Sequence, residues 1–186
     1  MISSLFMATI SLTVYGPLLM YIIFGAEPLV AGYIIATESL GWTVVAISTS
    51  GVREYIEPRL IRMGAVFVSI SMMGLIYAMP LGPLWLIALL AILMGMGFGM
   101  SWTFVSKRII ANVPETERTR ASGSIPTFLR VAMALGSALS GIIANFSGFS
   151  ESSSVVVARN VAFWSFAAFI PLMLVGLFFA WRVSQE

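Results

Sequence analysis

The chain has 186 residues, 59% of them hydrophobic and 10% charged, with a formal net charge of +2 and a mean hydropathy of +0.99. Soluble domains are about 45–50% apolar and about 25% charged, and a soluble fold of this size cannot hide so much apolar surface, so the composition excludes a soluble domain and points to an integral membrane protein in a lipid bilayer. Cys, His and Asp are all absent; this removes thiolate and disulfide chemistry, the commonest general base and the helical H-E-x-x-H zinc site, so no enzyme, no metal site and no cofactor is expected.

Charge is segregated along the chain. Five charged residues fall between Arg53 and Arg62 and six between Lys107 and Arg120, whereas residues 1–26, 63–106 and 160–181 carry none. Because a spanning helix needs about 20 apolar residues, the pattern predicts six helices over residues 3–24, 28–50, 63–79, 84–106, 125–146 and 157–182, in a single domain, 1–186. Transmembrane strands would run about 9–11 residues with alternating polarity, which the sequence does not show.

The first span carries Thr9, Ser11, Thr13 and Tyr15, then Gly16-Pro17, a pair that removes a backbone hydrogen bond and invites a kink. The second carries Tyr33, Thr37, Glu38, Ser39, Trp42 and Thr43. Glu38 stands about 11 residues from either end, roughly 16 Å deep at 1.5 Å per residue. An ionisable group at mid-span costs about 2.5–3.5 kcal/mol, which makes it a functional candidate by default. A carboxyl there suits proton coupling or cation binding, with Tyr33 and Trp42 near its face. The alternative is a protonated acid hydrogen-bonded between helices for structure alone.

A basic segment separates the second span from the third, which is nearly pure hydrocarbon and ends at Pro80-Leu81-Gly82-Pro83. The fourth contains Gly95, Gly97 and Gly99, with Gly95 and Gly99 at the GxxxG spacing that lets helix backbones approach, followed by Ser101, Trp102 and Thr103. After the second basic segment, the fifth span carries Thr127, Arg130, Ser137, Ser140 and Asn145, with small pairs Gly136/Ser140 and Ser137/Gly141. Arg130 lies about five residues, roughly 8 Å, inside its helix; it either snorkels to the surface or binds an anion or an acid in a cavity. The sixth span is again hydrocarbon, with Phe163, Trp164, Phe166 and Phe169. Bulk on every side suits the third and sixth spans to lipid, while the other four are expected to face protein or a wet cavity.

Orientation follows from Lys and Arg. With both termini cytoplasmic, the inner side holds Arg53, Arg59, Arg62, Lys107, Arg108, Arg118, Arg120 and Arg182, and the outer side only Arg159. No cleavable signal peptide is expected, because no basic n-region precedes the first apolar run. The basic residues serve topology, so no nucleic-acid partner is expected despite a pI of about 9.3.

Several stretches carry a resemblance. Tyr15-Gly16-Pro17, Gly25 and Pro28-Leu29-Val30-Ala31-Gly32 resemble the seventh helix of a major facilitator superfamily transporter and its outer turn into the eighth. Leu93-Met94-Gly95-Met96-Gly97-Phe98-Gly99 is similar to the glycine-rich tenth helix. Val113-Pro114-Glu115-Thr116-Glu117-Arg118, Ala121-Ser122-Gly123 and Arg130 with Gly136-Ser137-Ala138 resemble the eleventh and the loop before it. The chain thus looks like the C-terminal half of such a transporter, closest to the drug:proton antiporter branch. Between Gly51 and Gly64, where the family repeats its G-x-x-x-D-R-x-G-R-R signature, Gly51, Arg59 and Arg62 fit, but Tyr55 replaces an acid and Pro58 a glycine. The resemblance makes Gly51, Arg53, Arg59 and Arg62 candidates for inner-loop gating.

It also implies one half of a two-half bundle, with the first, second, fourth and fifth helices lining a cavity and meeting a second six-helix half, either another copy in a homodimer or a separate chain. Tyr15, Tyr33, Trp42, Phe98 and Trp102 would line that cavity, Glu38 and Arg130 would serve proton coupling or substrate binding, and Glu38 of one copy would approach Arg130 of the other. The expected function is alternating-access export of a small amphipathic or apolar molecule, driven by protons, in a bacterial inner (plasma) membrane. The alternatives are a non-transporting membrane subunit or truncated transporter remnant, and a six-helix channel, whose Asn-Pro-Ala half-helices are missing.

Overall fold

Backbone in lipid is satisfied by a helix or a closed barrel, and long charge-free runs rich in Leu, Ile, Met, Phe and Ala, without alternating polarity, take the helix. The computed structural model describes residues 1–150 and 154–185, and no strand occurs among them. Its helices are α1 (Ile2–Phe24), α2 (Pro28–Thr49), α3 (Glu57–Leu81), α4 (Leu84–Ala111), α5 (Arg118–Phe146), α6 (Val155–Ala167) and α7 (Ile170–Val183). They make six helical stretches long and apolar enough to cross a membrane, the last formed by α6 and α7 together. Gly25, at φ 65°, ends α1 in the left-handed region, and Pro28 opens α2 where a missing N–H costs nothing.

Three boundaries differ from the sequence expectation by five residues or more. Helix α3 starts at Glu57 rather than 63, α5 at Arg118 rather than 125, and α4 runs to Ala111 rather than 106. Arg59, Arg62, Lys107, Arg108, Arg118 and Arg120 therefore sit on helix ends, not in loops. A charge-free run marks the hydrocarbon layer, and helices continue beyond it into the polar region. The sixth span is also broken at Ala168–Phe169: Pro171, in the first turn of α7, has no N–H for the preceding turn. By contrast, Pro17 leaves α1 a single helix.

Helix α4 packs between α2 and α3, α1 packs against α5 and against α6–α7, and α3 meets α6 and α7. These principal contacts map onto one another when α1, α2 and α3 are exchanged with α4, α5 and α6–α7, whereas the α1–α3 and α5–α6 contacts have no counterpart. Each triplet has an odd number of spans, so the second is inverted in the membrane relative to the first, which is the arrangement of an inverted repeat.

Small residues set the close contacts. A methyl added at Gly95 would overlap the carbonyl of Glu38, one at Gly41 the carbonyl of Ile92, and one at Gly99 would lie 2.7 Å from the carbonyl of Trp42. These three glycines form the α2–α4 seam. Gly97, between Gly95 and Gly99, faces the opposite neighbour: its added methyl would lie 2.6 Å from the carbonyl of Gly64 on α3. Ser71 also ties α3 to α4 by donating to the carbonyl of Leu90 at 2.6 Å. Between α1 and α5, Gly136 lies against Met7 and Ile10, and Ser11 hydrogen-bonds Ser140 at 2.7 Å.

Helix α3 is not simply a lipid-facing helix. With α4 it buries the largest share of its most apolar 18-residue stretch, 56%, while the corresponding stretches of α2 and α5 bury only 22% each. Gly64, Ala65, Ser69 and Ser71 let one side of α3 pack inward, and Met63, Ile70, Met73 and Tyr77 stay exposed on the other. The open surface of the bundle is on α2 and α5.

Candidate functional site: an acid above an aromatic cluster

Helix periodicity places Ile35, Glu38 and Trp42 on one face of α2. Ile35 packs on Gly16 of α1 and Trp42 lies 6.0 Å from the ring of Phe6, so this face looks toward α1, with Glu38 between the two contacts. Glu38 is half-buried. Among the described residues its carboxylate has no hydrogen bond and no ion pair. Hydroxyls of the polar helices are satisfied within their own helices: Thr9 donates to Leu5, Thr43 to Ser39 and Ser137 to Met133, at 2.8–3.0 Å. Thr37 donates to Ile34 at 2.6 Å and reaches the carbonyl of Ala88 at 3.3 Å.

Phe98 of α4 is fully buried. Phe6 stacks on it with centroids 4.3 Å apart and Trp42 with centroids 5.9 Å apart, at interplanar angles of 17° and 24°. Because α1 leaves the end of the bundle that carries the basic segments and α2 and α4 run toward it, this cluster lies between Glu38 and that end. Three large rings backed by the core form a firm apolar layer on the basic-end side of the acid.

The other sequence candidates are dispersed. Tyr15 is half-buried and meets Phe149 edge-on at 6.2 Å, Tyr33 is 66% exposed, and Trp102 lines a cavity of about 1100 Å³ at the basic end. Arg130 is exposed on α5 and, among the described residues, makes no ion pair. Within one chain it is not joined to Glu38.

At the basic end, Gly51, Arg53 and Arg59 are exposed, and Arg62 donates to the carbonyl of Pro58, at 3.3 Å, its only hydrogen bond among the described residues. The ties there are made by other residues. Lys107 Nζ binds Glu57 at 2.7 Å and Glu54 at 3.5 Å, and Arg108 Nη1 donates to the carbonyl of Val183 at 2.5 Å. The end of α4 is thus held to the start of α3 and to the end of α7.

No family model matches the chain, and no solved structure does. The chain is similar to known transporters. It is 25% identical over 161 residues to the riboflavin transporter RibZ of Clostridioides difficile (strain 630), an alignment covering 82% of this chain and 35% of that protein. It is 23% identical over 168 residues to a probable multidrug-efflux transporter of Mycobacterium tuberculosis, covering 86% of this chain and 34% of that protein. The chain therefore spans about a third of the length of these relatives.

Sequence reasoning did not single out Phe6, Glu57 or Lys107. Phe6 is one of several aromatic residues in an apolar run, and only its position opposite Phe98 distinguishes it. Glu57 is buried although it belongs to a charged segment; its pairing with Lys107, 50 residues away, has no local signature. The one available signal was Glu57-Pro58, an acid and a proline together at a helix start, where each is favoured.

Proposed function

We propose that the chain is one half of a secondary transporter of the major facilitator type, working by alternating access with a second six-helix unit. It exports a small amphipathic or apolar molecule, with protons entering through Glu38. The basic end faces the cytoplasm of a bacterial inner membrane. The observation that carries this reading is an acid at mid-span, without a protein partner among the described residues, set beyond an aromatic layer on the α1–α2–α4 face. Such a group is retained against its insertion cost when it gains and loses a cation during function. The inverted-repeat packing, the named activities of the bacterial relatives and the open α2 and α5 surfaces support the same reading. In this reading Arg130, exposed on α5, pairs with Glu38 of a second copy.

Transport in inverted membrane vesicles tests this function. With acid inside, vesicles from cells producing the chain are expected to accumulate riboflavin or ethidium and to lose the signal when nigericin collapses the pH gradient. Uptake no greater than in vesicles lacking the chain, for both probes, would support the non-transporting reading instead.

A further inference from the structure

The cavity at the basic end is separate from Glu38 and lies on the far side of the aromatic cluster. Its volume, about 1100 Å³, is that of a pocket for a drug-sized molecule. It exists because the inner part of α5 stands away from α4: no residue from Arg118 to Val131 is buried. Its apolar lining comes from Trp102 and Val105 of α4 and from Ile125, Phe128 and Leu129 of α5.

Four charged side chains line it: Glu54, Glu57, Lys107 and Arg108. Lys107 holds Glu57 at 2.7 Å and approaches Glu54, whose side chain is 89% exposed and stands in water. Arg108 has no carboxylate partner among the described residues. One of its nitrogens donates to Val183, which leaves further N–H donors of the guanidinium for a ligand. A guanidinium fork matches a carboxylate or phosphate, whereas the two acids of the pocket are engaged or solvated.

We propose that this cavity binds an amphipathic anion, its apolar body against Trp102, Ile125, Phe128 and Leu129 and its acidic head on Arg108. The head is a carboxylate or a phosphate, supplied either by a free amphiphile or by a phospholipid of the adjoining leaflet.

Photolabelling of the whole chain in phosphatidylcholine nanodiscs tests the site, with adducts mapped by peptide mass spectrometry. A diazirine-bearing fatty acid is expected to label the Trp102 and Ile125–Leu129 peptides, and a diazirine-bearing alkyltrimethylammonium of equal length is not. Labelling by the acid should fall about tenfold in Arg108→Gln, the loss expected for a charge-assisted hydrogen bond, and persist in Arg108→Lys. Circular dichroism confirms that the variants are folded. Competition by phosphatidylglycerol added to the bilayer would assign the head group to a lipid, and competition by octanoate alone would assign it to a free amphiphile. Equal labelling by the cationic probe, or unchanged labelling in folded Arg108→Gln, would overturn the proposal.

Discussion

Gly95→Val is expected to destabilise the bundle more than any substitution on its open surface. The first side-chain atom at this position meets the carbonyl of Glu38, which is backbone and cannot rotate away. Relief requires α2 to move off α4, opening the contacts of Gly41 and Gly99 along the same seam. Overpacking a core typically costs about 1–3 kcal/mol, and a clash against backbone belongs at or above the top of that range. Gly123 provides the control. It lies in α5 with nothing within 4 Å of an added methyl, so Gly123→Ala should be neutral or stabilise by about 0.4–1 kcal/mol through the unfolded state. Thermal unfolding in detergent, followed by near-ultraviolet circular dichroism, reads both. Equal stability of Gly95→Val and the parent would mean that α2 and α4 do not meet at this seam.

Glu38→Gln is expected to separate stability from function. Glutamine keeps the shape of the side chain and cannot take up or release a proton. Vesicle transport driven by a pH gradient should fall to background, while the melting temperature stays equal or rises. Any gain in stability is bounded by the about 2.5–3.5 kcal/mol that an ionisable group costs at mid-span. An acid kept only as a structural hydrogen-bonding group would behave in the opposite way, losing stability on substitution and leaving the dependence on the pH gradient unchanged.

The spans were legible because insertion in lipid demands long apolar segments, and charge-free runs reveal them directly. Helix ends were less so: Glu57, Lys107 and Arg118 lie on helices that extend past the hydrocarbon. The sixth span reads as one apolar run, although Pro171 was a usable signal for its break. Periodicity tells which side of a helix is apolar but not which neighbour that side meets. Gly95 and Gly99 were therefore readable as a contact surface, while Gly97 facing α3 in the opposite direction was not. The polarity of α3 suggested lipid, yet its small residues bury one side, because packing follows size as well as polarity. Within the site, Glu38 was legible from its depth alone. Phe6 and the Lys107–Glu57 pair depend on residues distant in sequence, which no local pattern specifies.

We propose that the open α2 and α5 surfaces are covered by a second six-helix unit in the membrane. The chain has no cysteine, so single-cysteine variants report without background. Leu40→Cys on α2 and Leu135→Cys on α5 probe the exposed surfaces of those helices, and Ile70→Cys probes the exposed stripe of α3. Because α2 of one copy would meet α5 of the other, oxidative or bismaleimide cross-linking in native membranes should join co-produced Leu40→Cys and Leu135→Cys copies and leave Ile70→Cys copies uncoupled. If all three remain monomeric and react equally fast with a maleimide dissolved in the bilayer, lipid covers these surfaces and the two-half account is contradicted.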